Sequence, residues 1–181
     1  MPSTTWGIVT TVKAPTREIL EFVAYHLDLG ADQICIYLDA PNPTALELLQ
    51  DHAKVQVTLC DAAYWKTRNR PDMHQVRQTI NATHAYRRQA RVDWLAHIDV
   101  DEFLVPQAPL GGLLAALPAD TNCARIRPLE ALPGDGTQFK ACVPTGPDRD
   151  QITQQIYPTY GAYVKGGFLS HVAGKLFVRT G

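Results

Sequence analysis

The chain has 181 residues, 45% of them hydrophobic and 19% charged, and its 17 Lys+Arg against 18 Asp+Glu give a formal net charge of -1. Such a chain buries a full core without disulfide or metal staples, and the composition excludes a mini-scaffold, a disordered segment and a polyanion-binding tail. No window approaches the roughly 20 apolar residues that span a bilayer, and no basic segment precedes an apolar run at the N-terminus as in a signal peptide. The expectation is one domain over 1–181, cytoplasmic or at most peripheral to a membrane. Cys35, Cys60, Cys123 and Cys142 form no C-x-x-C pair, so zinc and a disulfide framework are not expected and all four read as structural thiols.

Trp6 to Val12 is rich in β-branched residues and predicts a strand, after which Thr16 offers itself as the cap of a helix. Ile19, Phe22, Val23, His26 and Leu27 recur at helical spacing, and Gly30 stands where a left-handed C-terminal residue is needed. A second strand is expected over Gln33 to Leu38, a short helix opened by Asn42-Pro43 with Leu46 and Leu49 inward, and a third strand over Val55 to Leu59. His74 to Arg91 predicts a longer helix that turns Val76, Ile80, Thr83 and Tyr86 to the core, followed by the apolar run Trp94 to Ile98. Beyond Val105 a helix over Leu110 to Leu117 and a strand over Ala124 to Arg127 are expected, then long loops from Gly134 to Pro158. Strands alternating with helices make an α/β, Rossmann-like fold, a mostly parallel sheet with helices on both faces. Ligands then bind outside the carboxyl ends of the strands.

At one such end lies His97-Ile98-Asp99-Val100-Asp101-Glu102-Phe103-Leu104. Asp99 and Asp101 are two apart, so extended backbone projects both carboxylates to one face. Two acids held that close repel unless a cation sits between them, and Mg²⁺ or Mn²⁺ takes oxygen ligands and shares them with substrate phosphates. The competing structural reading is an acidic surface turn.

Trp94 to Leu104 resembles the D-V-D-E-F segment of the glycosyltransferase family 2-like group. Thr10-Thr11-Val12-Lys13, the Glu21-Phe22-Val23-Ala24-Tyr25-His26 to Leu29-Gly30 run and the closing Gly174-Lys175-Leu176-Phe177-Val178-Arg179 are similar to further stretches of that group. The resemblance implies a GT-A fold, a nucleotide-sugar donor, a glycan or other hydroxyl acceptor, and a metal bridging the D-x-D to the diphosphate. It implies Asp101 as metal ligand, Asp99 as partner to metal or ribose, Glu102 as the residue orienting the turn, and Asp39, Thr11 and Lys13 beside the donor. Gln78 and His84 match a helical pattern of the group, which a polar helix face explains equally well, and Lys175 resembles a position near the donor, with Arg179 expected on the same face of a closing strand. Where the group reads N-E after the lysine, this chain has Ala14-Pro15. Relatives continue past the position of Gly181 to a further histidine, so the domain is expected to lack its C-terminal part.

Between Tyr64 and Arg91 seven cationic residues face one acid, Asp72, so this stretch carries +6 and the remainder -7. Arg68 and Arg70, ahead of the long helix, are candidates for the donor phosphates, whereas Arg87, Arg88 and Arg91 read as a solvated helix face. Nucleic-acid binding is not expected, since no aromatic ladder accompanies the cluster. Glu130 and Asp135 are the candidates for general base in an inverting displacement, and His171 for a ligand or acid. The whole reads as a metal-dependent glycosyltransferase. Its rivals are a non-catalytic nucleotide-sugar-binding domain and, further off, a haloacid dehalogenase-type phosphatase, whose D-x-D comes earlier and is followed by small residues.

Overall fold

A computed structural model of the chain describes residues 4–134, 136–169 and 172–181. The chain divides into two compact units, Met1–Ala124 with Phe177–Gly181 and Arg125–Leu176.

The first unit is built as β1 (Trp6–Val12), α1 (Thr16–Asp28), β2 (Gln33–Leu38), α2 (Pro43–Leu49), β3 (Val55–Leu59), α3 (Ala62–Trp65), α4 (His74–His84), β4 (Trp94–His97) and α5 (Leu110–Ala115). With β5 (Cys123–Ile126) and β8 (Lys175–Arg179) these make a six-stranded sheet of order β3-β2-β1-β4-β8-β5. The first four strands are parallel, with Gly7 beside Gln33 and Leu95, and β8 runs antiparallel to β4. This is the expected α/β architecture, consistent with a GT-A-like fold. Every residue of β1 and β2 is buried, as strands covered on both faces must be. Gly7 has a steric reason: a Cβ there would stand 2.6 Å from the Gln33 carbonyl oxygen.

α1 buries Ile19, Phe22, Val23 and His26. It ends in a Schellman motif, Gly30 N–H donating to the Leu27 carbonyl and Ala31 N–H to that of His26, with Gly30 at φ +100°. Its start differs from expectation. Pro15 precedes the helix, Thr16 is already helical, and the Thr16 hydroxyl donates to Asn42 Oδ1, the atom that caps α2 by accepting from Ala45 N–H.

α4 departs further. Val76 is 41% and Tyr86 39% exposed, Thr83 is exposed and Ile80 half-buried, while the side chains turned inward are Arg77, Asn81 and Ala85. The buried stripe keeps helical spacing but is polar, so the hydrophobic pattern points to the wrong face. The helix also does not run on to Arg91: Ala85–Gln89 is a π-helical turn, after which Gln33 fastens the chain by donating to the Gln89 carbonyl and accepting from Arg91 N–H.

The second unit holds β6 (Leu129–Ala131), β7 (Phe139–Ala141) and α6 (Arg149–Ile156). The strands form an antiparallel hairpin in which Glu130 stands opposite Lys140. β7 and α6 occupy part of the stretch expected to be loops; strands of three residues carry too little periodicity to be read. Lys140 is the hub, with Nζ 2.6 Å from Glu130 and 2.7 Å from the Gly167 carbonyl oxygen, over the Tyr157 and Phe168 rings.

Candidate active site

The carboxyl ends of β1, β2 and β4 are gripped by one helix. Arg77 of α4 holds Asp39 just past β2, Gln78 donates from Nε2 to Asp99 Oδ1 past β4 at 2.6 Å, and Asn81 donates from Nδ2 to the Thr11 hydroxyl of β1 at 3.0 Å. Asn81 is satisfied on its other side by the Tyr64 hydroxyl, which donates to Oδ1 at 2.8 Å. This explains a polar inward face: each side chain meets a polar group at a strand end, where an apolar one would strand it.

Asp39 is the most enclosed acid of the group, its side chain 1% exposed. Arg77 Nε lies 3.1 and 2.9 Å from its two oxygens and Nη2 2.8 Å from Oδ2, while Arg70 Nη2 lies 3.0 Å from Oδ1. Arg77 Nη1 also donates to the Pro71 and Asp72 carbonyls, which fixes the loop ahead of α4. His74 Nδ1 stands 3.7 Å from Oδ2. Thr11 is buried with its hydroxyl taken by Asn81, and Lys13 is exposed immediately beyond β1.

The acidic segment is a tight turn, where extended backbone was expected, because β4 ends at His97 and the chain reverses at Val100-Asp101. Glu102 N–H donates to the Asp99 carbonyl at 3.0 Å, and Asp99 N–H donates to Glu102 Oε2 at 3.3 Å, so Glu102 closes the turn and Asp101 stands exposed at its tip. The next two residues are clamped to α1. Phe103 stacks on His26, ring centroids 5.8 Å apart, and meets the edges of Phe22 and Tyr25; the Tyr25 hydroxyl donates to the Leu104 carbonyl at 2.7 Å. His26 Nδ1 faces the Phe22 carbonyl oxygen at 2.8 Å and so carries the proton, leaving Nε2 to accept from Leu104 N–H at 3.3 Å. Burial pushes the His26 pKa down, which keeps this neutral form. The Phe-Val-Ala-Tyr-His and Asp-Glu-Phe-Leu strings are thus two halves of one contact.

The other expected residues lie on other elements or make other contacts. His84 turns to Tyr37, Nδ1 2.7 Å from the hydroxyl, and Arg68 lies over the Tyr64 ring. Glu130 belongs to the second unit, bound to Lys140 and accepting from Leu169 N–H, and Lys175 opens β8. Arg179 sits beside Trp94, its guanidinium 4.4 Å from that ring centroid and donating to the Thr121 carbonyl, at the amino end of β4 and away from the acidic turn. Asp135 and His171 lie outside the described residues. Arg77 and Asn81 belong to the candidate site and were passed over by sequence reasoning. Their signal was present: two polar residues four apart in a helix, both on the stripe that includes Ala85.

The acidic turn and all three gripped strand ends lie within the stretch, residues 9–115, matched by the model of glycosyltransferase family 92. The chain belongs to glycosyltransferase family 92. No curated protein matches it. The expectation of a glycosyltransferase therefore holds at the level of a glycosyltransferase family, and the family shown is 92. Among the described residues of this family 92 chain, no three His, Cys, Asp or Glu side chains gather as a ready metal cage, and no helix is long and apolar enough to cross a membrane.

Proposed function

We propose that this family 92 protein transfers a sugar from a nucleotide-sugar donor to a hydroxyl of a glycan or other acceptor, with inversion and with Mn²⁺ or Mg²⁺ as cofactor. The observation that carries the reading is the placement of Asp99 and Asp101: a turn at the carboxyl end of a central parallel strand, one acid steadied by a neutral amide and the other exposed at the tip.

The donor set suits a hard divalent cation. Two carboxylates and no sulfur or imidazole is what Mg²⁺ or Mn²⁺ takes when phosphates and water fill the remaining positions. Asp101 would hold the metal, and Asp99, oriented by Gln78, the metal or the ribose. The ion's contribution when bound is to offset charge developing on the departing diphosphate. Lys13, exposed past β1, and Arg70, whose side chain is 47% exposed, supply cationic groups for the donor; Asp39 acts through Arg70 by fixing its guanidinium.

Calorimetry with UDP- and GDP-sugars, with and without Mn²⁺, tests this on the native chain and Asp101→Asn. Binding that needs metal, vanishes in the variant and accompanies sugar transfer is expected. Metal-independent binding unaffected by Asp101→Asn would overturn the assignment, and binding without transfer would favour a nucleotide-sugar-binding protein.

A further inference from the structure

The exposed side of α4 carries a second feature that the strand-end site does not use. Arg68, Arg87, Arg88 and His84, with Thr79, Ile80 and Thr83, line a pocket of about 300 Å³. Among the described residues none of these three arginines has an ion-pair partner; of the acids that α4 meets, Asp39 takes Arg70 and Arg77, and Asp99 takes Gln78. The π-helical turn brings the consecutive Arg87 and Arg88 to the same pocket, and such turns recur where helices serve a ligand. Arg68 is held in place, Nη1 donating to the Tyr64 carbonyl and its guanidinium 4.8 Å from that ring's centroid.

The wall of the pocket is largely apolar, so its selectivity lies in the charged groups its residues carry, and these favour an acceptor-rich anion. The Thr79 and Thr83 hydroxyls donate to the Gln75 and Thr79 carbonyls, so the donors on offer are the guanidinium groups. Three positive charges carried by residues of one pocket without a counter-charge repel one another, and forked N–H donors match a tetrahedral oxyanion.

We propose that this pocket binds a phosphate or sulfate group, a doubly charged oxyanion, at a place separate from the acidic turn. Arg87 lies nine residues beyond Gln78 on the same helical segment, roughly 13 Å along its axis at about 1.5 Å per residue. The inference does not rest on the transferase reading.

His84 provides a local reporter. The Tyr37 hydroxyl donates to Gln89 Oε1, whose amide is oriented by Nε2 donating to Thr58, so the Tyr37 oxygen accepts from His84 Nδ1 and the ring's Nε2 carries the lone pair. Burial and the facing charges of Arg68 and Arg88 lower the His84 pKa; Tyr37, Tyr64 and Arg87 are the other ionisable groups about it. A bound dianion reverses that field, so binding takes up a proton.

The test is a titration of the full chain with inorganic sulfate, which stays doubly charged across the range, followed by the His84 ring resonances at pH 6 and pH 8. A saturable shift is expected, tighter at pH 6, with the His84 pKa raised, and at least tenfold weaker in the Arg87→Gln/Arg88→Gln double variant. Arg91→Gln, an exposed arginine outside the pocket, should leave it unchanged. A shift that never saturates, or one weakened equally by Arg91→Gln, overturns the proposal. Sedimentation with phosphatidic acid vesicles, set against phosphatidylcholine alone, then separates the sources. Capture lost in the double variant assigns the oxyanion to a lipid headgroup, and sulfate binding without capture assigns it to a soluble ligand; either keeps the site.

Discussion

Replacing Arg77 by Met tests whether α4 is held to the sheet by charge. Met roughly preserves the length of the aliphatic stem and removes the guanidinium. The change deletes the Nε and Nη2 contacts to Asp39 and the two Nη1 bonds to the loop carbonyls of Pro71 and Asp72. Asp39 is then left 1% exposed with Arg70 as its guanidinium partner, and Arg70 is nearly half in solvent, where an ion pair contributes about 0–1 kcal/mol. Removing one member of a buried pair costs about 3–5 kcal/mol, because the survivor stays buried and uncompensated. Much of that should return in Arg77→Met/Asp39→Leu, since an apolar pair of similar volume replaces buried ions with little loss. Urea unfolding of the wild type, both single variants and the double closes the cycle. A loss below about 1 kcal/mol in Arg77→Met, or a double variant less stable than both single ones, would refute the claim that this pair fastens the helix.

Other expected outcomes follow from the same contacts. Gln78→Leu removes the donor to Asp99 at the edge of the site, so metal-dependent donor binding should weaken about tenfold or more while the thermal midpoint moves little, read by calorimetry beside a melting scan. Because the folded-state pKa of His26 lies below its unfolded value, its stabilisation is complete above about pH 6.5 and declines as pH falls below that. The slope is at most about 1.4 kcal/mol per pH unit for one proton, and it should flatten in His26→Gln. Gly30→Ala places a Cβ at φ +100° and should cost about 1–2 kcal/mol in the same unfolding assay. Burial pushes the Cys35 and Cys60 thiols up to about 12, so a thiol reagent at pH 8 should label exposed Cys123 first and leave those two unmodified until the protein unfolds.

Most strands and helices of the first unit were legible because their signals are local: β-branched runs for β1 to β3, Asn42-Pro43 for α2, Gly30 for the end of α1; the single-turn α3 was not expected. The position of the acidic pair was legible too, since two acids after an apolar run need no distant information, but its backbone was not: extended geometry was expected, and the chain turns at Val100-Asp101. The inward face of α4 was not. Arg77 belongs inside only because Asp39 waits 38 residues earlier, and a hydrophobic pattern contains no term for a partner that far away. The π turn was hidden for the same reason, as its register depends on Gln33 meeting Gln89 and Arg91. Arg179 sat on the expected strand, but antiparallel pairing carried it to the end of β4 opposite the acids, a direction the sequence does not encode locally.

Because a single helix fastens the tips of β1, β2 and β4, those tips cannot be repositioned independently. A sideways slip of that helix would drag a threonine, an aspartate and half of the acidic pair together, like three keys on one ring. Engineering this edge for another donor should therefore proceed by paired exchanges, position 77 with 39, 78 with 99 and 81 with 11, and one-at-a-time scanning should understate what the scaffold tolerates.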